Sequence, residues 1–414
     1  MARTGVPAVN WAGNVTFGAE RVYRPESVDE VRGIVAGSRR VRALGSGHSF
    51  NRVADTEHDL VRLDRLRPTA EIDPDAATVT VAGGMRYADL VFPLHRAGFA
   101  LANLASLPHI SIAGSCATAT HGSGDGLRCL AAAVSGLQLV GPEGDLVEVG
   151  RETEGFAGSV VALGALGVVT SMTLDIEPAY EMAQRVHLGV PLAEVAGGID
   201  EVFGAAYSVS LFTDWRSGHG DVWLKRRIGE PETGWDGGRR AREKIHPVPG
   251  MPVEASTEQL DVVGPWHERL PHFRPELQPG PGDELQSEFF LPRAAAPEAF
   301  AAIREVGELV APVLHIAEVR TVRGDDLWLS PAYRRDTVAF HFTWIGDIQA
   351  VQPALAAVEQ RLVPLGSRPH WGKLTTLTPS ETIGHYERAG DFERLLREHD
   401  PEGKFRNAFV DELF

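Results

Sequence analysis

The chain has 414 residues, more than one ordinary hydrophobic core accommodates, so two domains are expected. Forty basic residues against fifty-six acidic ones give a net charge of −16, which argues against nucleic acid or an anionic membrane as a partner. Cys116 and Cys129 are the two cysteines, too few for a disulfide framework, and a reducing compartment is expected.

Residues 1–20 show no basic segment followed by an apolar one, so no secretory leader is read there. The most apolar run, 158–174, is interrupted by glycines and hydroxyls and is too short for a bilayer span. A cytoplasmic protein without membrane association is the expectation.

Ser27 opens a capping box with Glu30, and Val28, Val31, Ile34 and Val35 repeat at helical spacing as far as Gly37. A short strand over 41–44 feeds residues 43–50, Ala-Leu-Gly-Ser-Gly-His-Ser-Phe. Its glycines permit positive φ and close approach to a ligand, and successive N–H groups in such a turn form an anion-binding nest. A phosphate-bearing cofactor fits, and so does a plain structural turn. The dinucleotide fingerprint is excluded because Phe50 stands at its third glycine, and no Walker loop is present.

Strands are expected over 60–63 and 78–82, the second stopped by Gly83-Gly84, then a helix over 87–97 closed by Gly98. This order suggests an α+β cofactor domain, not a doubly wound sheet. Residues 104–124 contain no Asp, Glu, Lys or Arg and are dominated by small and hydroxyl side chains. As a loop they let a planar ligand lie against the backbone and satisfy its polar edges; the alternative is a tightly packed helix start. A hairpin turns at Pro142-Glu143-Gly144, and 164–169 reads as a buried strand.

After Ile176-Glu177-Pro178 longer strands alternate with Pro- and Gly-rich loops, marking a second domain. Over 313–322, Glu318 and Arg320 share a face with Leu314 and Ile316. Charges on a half-buried face want partners, and either a structural ion pair or a ligand's hydroxyls would supply them. Over 337–345, Val338, Phe340, Phe342 and Trp344 form an apolar face, with Ala339, His341 and Thr343 on the other. His341 is then either exposed or in a pocket beside Glu318 and Arg320, and Lys373 reads by default as a surface lysine. No zinc spacing and no G-x-S-x-G elbow occurs, so no metal is expected.

Gly45-Ser46-Gly47-His48-Ser49, with Ser111-Ile112-Ala113-Gly114-Ser115 and Thr120-His121-Gly122 further on, resembles the FAD-binding domain of the vanillyl-alcohol-oxidase family. Pro401-Glu402-Gly403-Lys404-Phe405-Arg406-Asn407 is similar to the terminal signature of its sugar-lactone and alditol oxidase branch. Segments 207–215, 264–273 and 368–373 resemble the alditol oxidases in particular. The resemblance spans almost the full length; residues 229–242 do not align, and Cys116 replaces an aliphatic residue.

The resemblance implies an FAD-binding α+β domain over 1–178. A substrate-binding cap on an antiparallel sheet with flanking helices is implied over 179–372, and a return to the first domain over 373–414. It implies FAD joined through its 8α carbon to His48, an unbonded loop histidine being the alternative. Cofactor contacts are implied at Ala43, Leu44, Gly45, Ser46, Gly47, His48 and Ser49. Others are implied at Ser106, Ser111, Gly114, Ser115, Thr118, Ala119, Thr120 and His121, and at Val169 and His370. Substrate positions are Ser106, Glu318, Arg320, His341, Thr343 and Lys373, with His341 and Lys373 as the catalytic pair. The implied reaction oxidises the primary alcohol of a small polyol such as xylitol or sorbitol, reducing oxygen to hydrogen peroxide. A sugar-1,4-lactone oxidase or dehydrogenase would share the fold and the histidine link. A monomer is expected.

Overall fold

The computed structural model describes residues 9–277, 280 and 282–414. The leader reading over 1–20 therefore falls in part on residues outside those described. Helix Val28–Gly37 starts at Ser27, whose Oγ accepts from the Glu30 N–H at 3.2 Å. The reciprocal half of the capping box is displaced: the Glu30 carboxylate accepts from the Glu26 N–H at 3.0 Å. Val31, Ile34 and Val35 turn inward and pack with Val41 and Val61.

Strand Asp59–Arg62 pairs in parallel with Arg21–Tyr23 on one side and Val41–Leu44 on the other. Beside this small sheet lies a five-stranded antiparallel one, in the order Ala70–Asp73, Thr78–Ala82, Val168–Asp175, Val134–Val140 and Leu146–Gly150. Strand Thr78–Ala82 stops at two glycines for a steric reason. A Cβ on Gly83 would overlap the Val169 carbonyl oxygen, and one on Gly84 would overlap that of Leu63. Bare backbone here is what brings the two sheets together.

Two sequence readings need correction. Residues 164–169 are not one strand: Leu163, Gly164 and Gly167 have φ of 53°, 69° and 148°, so the chain turns and only Val168 and Val169 enter a strand. Residues 104–124 are not all loop, because Ile112–Ala117 form a short helix with Ser111 at its N-cap position.

From Glu181 onward the chain builds a nine-stranded antiparallel sheet. Its order is Arg239–Arg240, Glu181–Pro191, His219–Arg227, Ser208–Thr213, Leu314–Val322, Thr337–Ile345, Glu284–Pro292 and Arg368–Pro369, with Gly264–Pro265 beside Glu181–Pro191. Val338, Phe340, Phe342 and Trp344 are fully buried against Phe289 and Leu291, and against Phe300 and Leu355 of helices Ala296–Glu305 and Ile348–Leu362. Each such side chain contributes roughly 1.5–3 kcal/mol by burial. A register slip of one residue would put His341 and Thr343 among the helices instead, so this apolar face fixes where the polar one points.

The last residues return to the first sheets. Phe405 packs with Val31 and Val41. Its carbonyl accepts from the buried Arg42 guanidinium at 2.7 Å, and the Asn407 amide donates to the carbonyls of Arg52, Val53 and Asp55. Among the described residues no helix is long and apolar enough to cross a membrane.

Candidate active site

Strand Val41–Leu44 runs into the 45–50 loop, and helix Ile112–Ala117 begins against it. The two segments clasp each other through serines. The Ser46 N–H donates to Ser111 Oγ at 3.2 Å, and the Ser111 N–H donates to Ser46 Oγ at 3.1 Å. A Cβ on Gly45 would overlap Ser111 Oγ, so the clasp requires glycine there. Gly47 takes φ of 72° and turns His48 onto Trp11, with ring centroids 5.1 Å apart and planes 19° from parallel. Both His48 ring nitrogens are buried and have no hydrogen-bond partner among the described residues. Burial lowers its pKa to about 4, so the imidazole is neutral with a free lone pair.

A second polar group assembles on the sheet face turned away from the helices. Cross-strand pairing sets Glu318 beside His341 and His341 beside Glu288, one from each of three neighbouring strands. Glu288 is the hub. Its carboxylate accepts from Arg320 Nη2 at 2.6 Å and Lys373 Nζ at 2.8 Å, and lies 3.1 Å from His121 Nε2. Burial alone would raise the Glu288 pKa, but the Lys373 and Arg320 cations outweigh it and hold the group well below the usual range. Glu318 is likewise ionised: burial opposes this, and Arg320 and His272 override it.

Lys373 Nζ lies 2.6 Å from His341 Nδ1, whose ring places Nε2 3.1 Å from Thr343 Oγ1. Burial, then the Lys373 charge, lowers the His341 pKa to about 4, and burial also lowers that of Lys373. Arg320 Nη1 stands 3.4 Å from Ser106 Oγ, and Arg320 Nε 3.6 Å from Glu318 Oε2. His370 sits at the junction, its N–H donating to the Glu288 carbonyl and its Nδ1 accepting from the Gly372 N–H at 3.0 Å.

Both groups line one cavity of about 1300 Å³. It brings together all the cofactor and substrate positions named from the sequence except Ala119. That residue has φ of 54°, which turns its methyl into the apolar core, where it is fully buried. Glu318 and Arg320 are an ion pair and also line the cavity; His341 is 7% exposed, and Lys373 is largely buried.

Glu288, Gln286 and His272 line the cavity too and were missed. Gln286 and Glu288 stand opposite Leu285, Phe289 and Leu291 in Glu284–Pro292, so the alternation that exposed His341 would have found them. His272, judged only as a zinc ligand, lies 2.9 Å from Glu318 Oε1. Among the described residues no group of three or more His, Cys, Asp or Glu could hold a metal ion. Cys116 and Cys129 are free and buried, and burial pushes the Cys116 thiol up to about 12.

Comparison with known proteins agrees with this geometry. The FAD binding domain family matches residues 19–150, and the D-arabinono-1,4-lactone oxidase family matches residues 284–413. An alditol oxidase of Streptomyces sp. (strain IKD472 / FERM P-14339) is 49% identical over 408 residues, which cover 98% of each chain. The chain belongs to the alditol oxidase family of FAD-dependent oxidoreductases. More distant from this alditol oxidase family member are an L-gulono-1,4-lactone dehydrogenase of Mycobacterium tuberculosis, 27% identical over 97% of each chain, and the L-gulonolactone oxidase of Bos taurus, 26% identical over 99% of this chain and 98% of that one. A cholesterol oxidase from B. sterolicum shares the fold, with a TM-score of 0.80 at 13% identity over 100% of this chain and 97% of that one. FAD fits the cavity as built: bare backbone at Gly45, a neutral loop without charged side chains, and an unpaired imidazole at His48.

Proposed function

We propose that the protein oxidises the terminal primary alcohol of a small polyol such as xylitol or sorbitol to the aldose. Molecular oxygen accepts the two electrons and becomes hydrogen peroxide, and FAD is held covalently at His48. The observation that carries this reading is the Lys373–His341–Glu288 cluster, which lines the same cavity as the unpaired His48. Residues 1–178 and 373–414 hold the cofactor, residues 179–372 form the cap, and the enzyme acts as a cytoplasmic monomer.

Bound FAD supplies the acceptor for hydride from the alcohol carbon and the route for both electrons to oxygen. Glu318 accepts from the polyol's hydroxyls, while Arg320, Ser106 and Thr343 donate to them. Such a site selects against alcohols without interior hydroxyls, because each polar group left unpaired costs about 1–3 kcal/mol. The contact of Lys373 Nζ with His341 Nδ1 at 2.6 Å admits one positive charge, since two like charges cannot be buried so close. The reactive form of the pair is therefore the uncharged one: it receives the hydroxyl proton as hydride leaves, and the Glu288 carboxylate balances the single charge gained. His48, kept neutral by burial and with both ring nitrogens unpartnered among the described residues, is the side chain that would hold FAD covalently.

Peroxide release with xylitol or sorbitol, against gulono- and galactono-1,4-lactone, tests the reaction. Turnover of the lactones alone would reassign the protein to lactone oxidation. Acid precipitation tests the bond: yellow colour stays in the pellet for the native protein and moves to the supernatant for His48→Ala. Colour in the supernatant from the native protein removes it.

A further inference from the structure

Behind the substrate wall is a buried cation that this reaction leaves unused. Lys225, in strand His219–Arg227, is 2% exposed and stands outside the cavity lining. Its Nζ donates to the Leu270 carbonyl at 2.6 Å and lies 3.2 Å from His272 Nδ1. His272 Nε2 is in turn 2.9 Å from Glu318 Oε1. An ammonium has donors and no acceptor, so Nδ1 accepts and the imidazole proton resides on Nε2. The hydrogen bonds thus run in one direction, from Lys225 through His272 to Glu318.

Packing holds this chain in place. Phe212 and Trp223 meet the His272 ring edge-on, with centroids 5.2 and 5.4 Å away. Burial lowers the Lys225 pKa to about 7 against the pull of Glu318, and in either form Nζ has N–H groups enough for the Leu270 carbonyl and His272 Nδ1. The chain ends on a carboxylate that lines the cavity and that, among the described residues, makes no hydrogen bond to Lys373 or His341.

We propose that Lys225 and His272 are positioning residues for substrate recognition: Lys225 fixes His272 as the Nε2–H tautomer, and His272 fixes Glu318 as an ionised acceptor for the interior hydroxyls of the polyol. This rests on the reading of Glu318 as a substrate-binding group. The relay governs which alcohols bind and has no part in moving the reacting proton. Its loss therefore acts on KM, and only for substrates with interior hydroxyls.

The test compares xylitol with 1,5-pentanediol, which has the same length and both terminal hydroxyls but no interior ones, used as substrate or as competitive inhibitor. Lys225→Met and His272→Leu raise the xylitol KM about tenfold, the effect of one lost hydrogen bond to a charged group. Turnover number stays within about twofold, and pentanediol binding is unchanged. The rise in melting temperature that xylitol produces, which needs no turnover, shrinks in the same variants. His272→Gln, whose amide can still donate to Glu318, recovers most of the binding. An unchanged xylitol KM, an equal rise for both alcohols, or a fall confined to turnover number overturns the proposal. Should Lys225→Met not fold, the His272→Leu and His272→Gln pair decides. Glu318→Gln separates the two readings. If it leaves the xylitol KM unchanged, Glu318 is not a substrate group and the relay falls with it. If it alone raises KM, the relay fails and the substrate reading stands.

Discussion

The loops over 43–50 and 104–124 contain no Lys, Arg, Asp or Glu, whereas the sheet face on the same cavity gathers Glu288, Glu318, Arg320 and Lys373 within a few ångströms. On the loop side the shape depends on side chains that are missing, as at Gly45 and, at the strand end that lines the same cavity, at Gly83 and Gly84, and on backbone groups clasped by two serines. On the sheet side it depends on charges that are present and held by strand register. The loops should therefore be intolerant of an added carbon, and the sheet face intolerant of a removed charge.

The largest effect is expected at Lys373. Lys373→Met should lower turnover about 10³-fold, or about 4 kcal/mol of transition-state stabilisation, with flavin content retained. A rate near native would mean that the sheet face binds without doing chemistry, and the contrast would have to be redrawn. Glu288→Gln leaves Arg320 and Lys373 buried without their counter-charge, and denaturant titration should show about 3 kcal/mol less stability. Gly83→Ala forces a methyl against the Val169 carbonyl. It should cost about 2 kcal/mol by the same titration and lower the flavin bound per chain, where an uncharged, merely flexible loop would show neither change. Smallest is Ser46→Ala, which removes one half of the clasp: about 1 kcal/mol, visible as a lower melting temperature of the holoenzyme.

The same contrast explains what could be read from the sequence. The 43–50 loop was legible because its glycines, serines and histidine are contiguous and each limits the backbone locally. Thr337–Ile345 was legible to the residue because four large apolar side chains alternate without interruption. Glu288 was legible as a position on a polar strand face but not as a hub, since the groups that make it one come from positions 121, 320 and 373, and only the sheet brings them together. That the Ala119 methyl faces the core could not be read because a contiguous motif hides a single positive φ, and the strand over 164–169 failed for the same reason. For helix Ile112–Ala117, small residues satisfy loop and helix alike, so composition could not choose.

The Asn407 amide, which holds the Arg52, Val53 and Asp55 carbonyls across more than 350 positions of sequence, has a consequence for biosynthesis. The segment after His48 is fastened by a residue synthesised more than 350 positions later. Contacts of such separation form late, because the intervening chain must be ordered first. The loop that carries His48 thus stays unfinished until residue 407 has been made, and stable flavin binding waits for that segment.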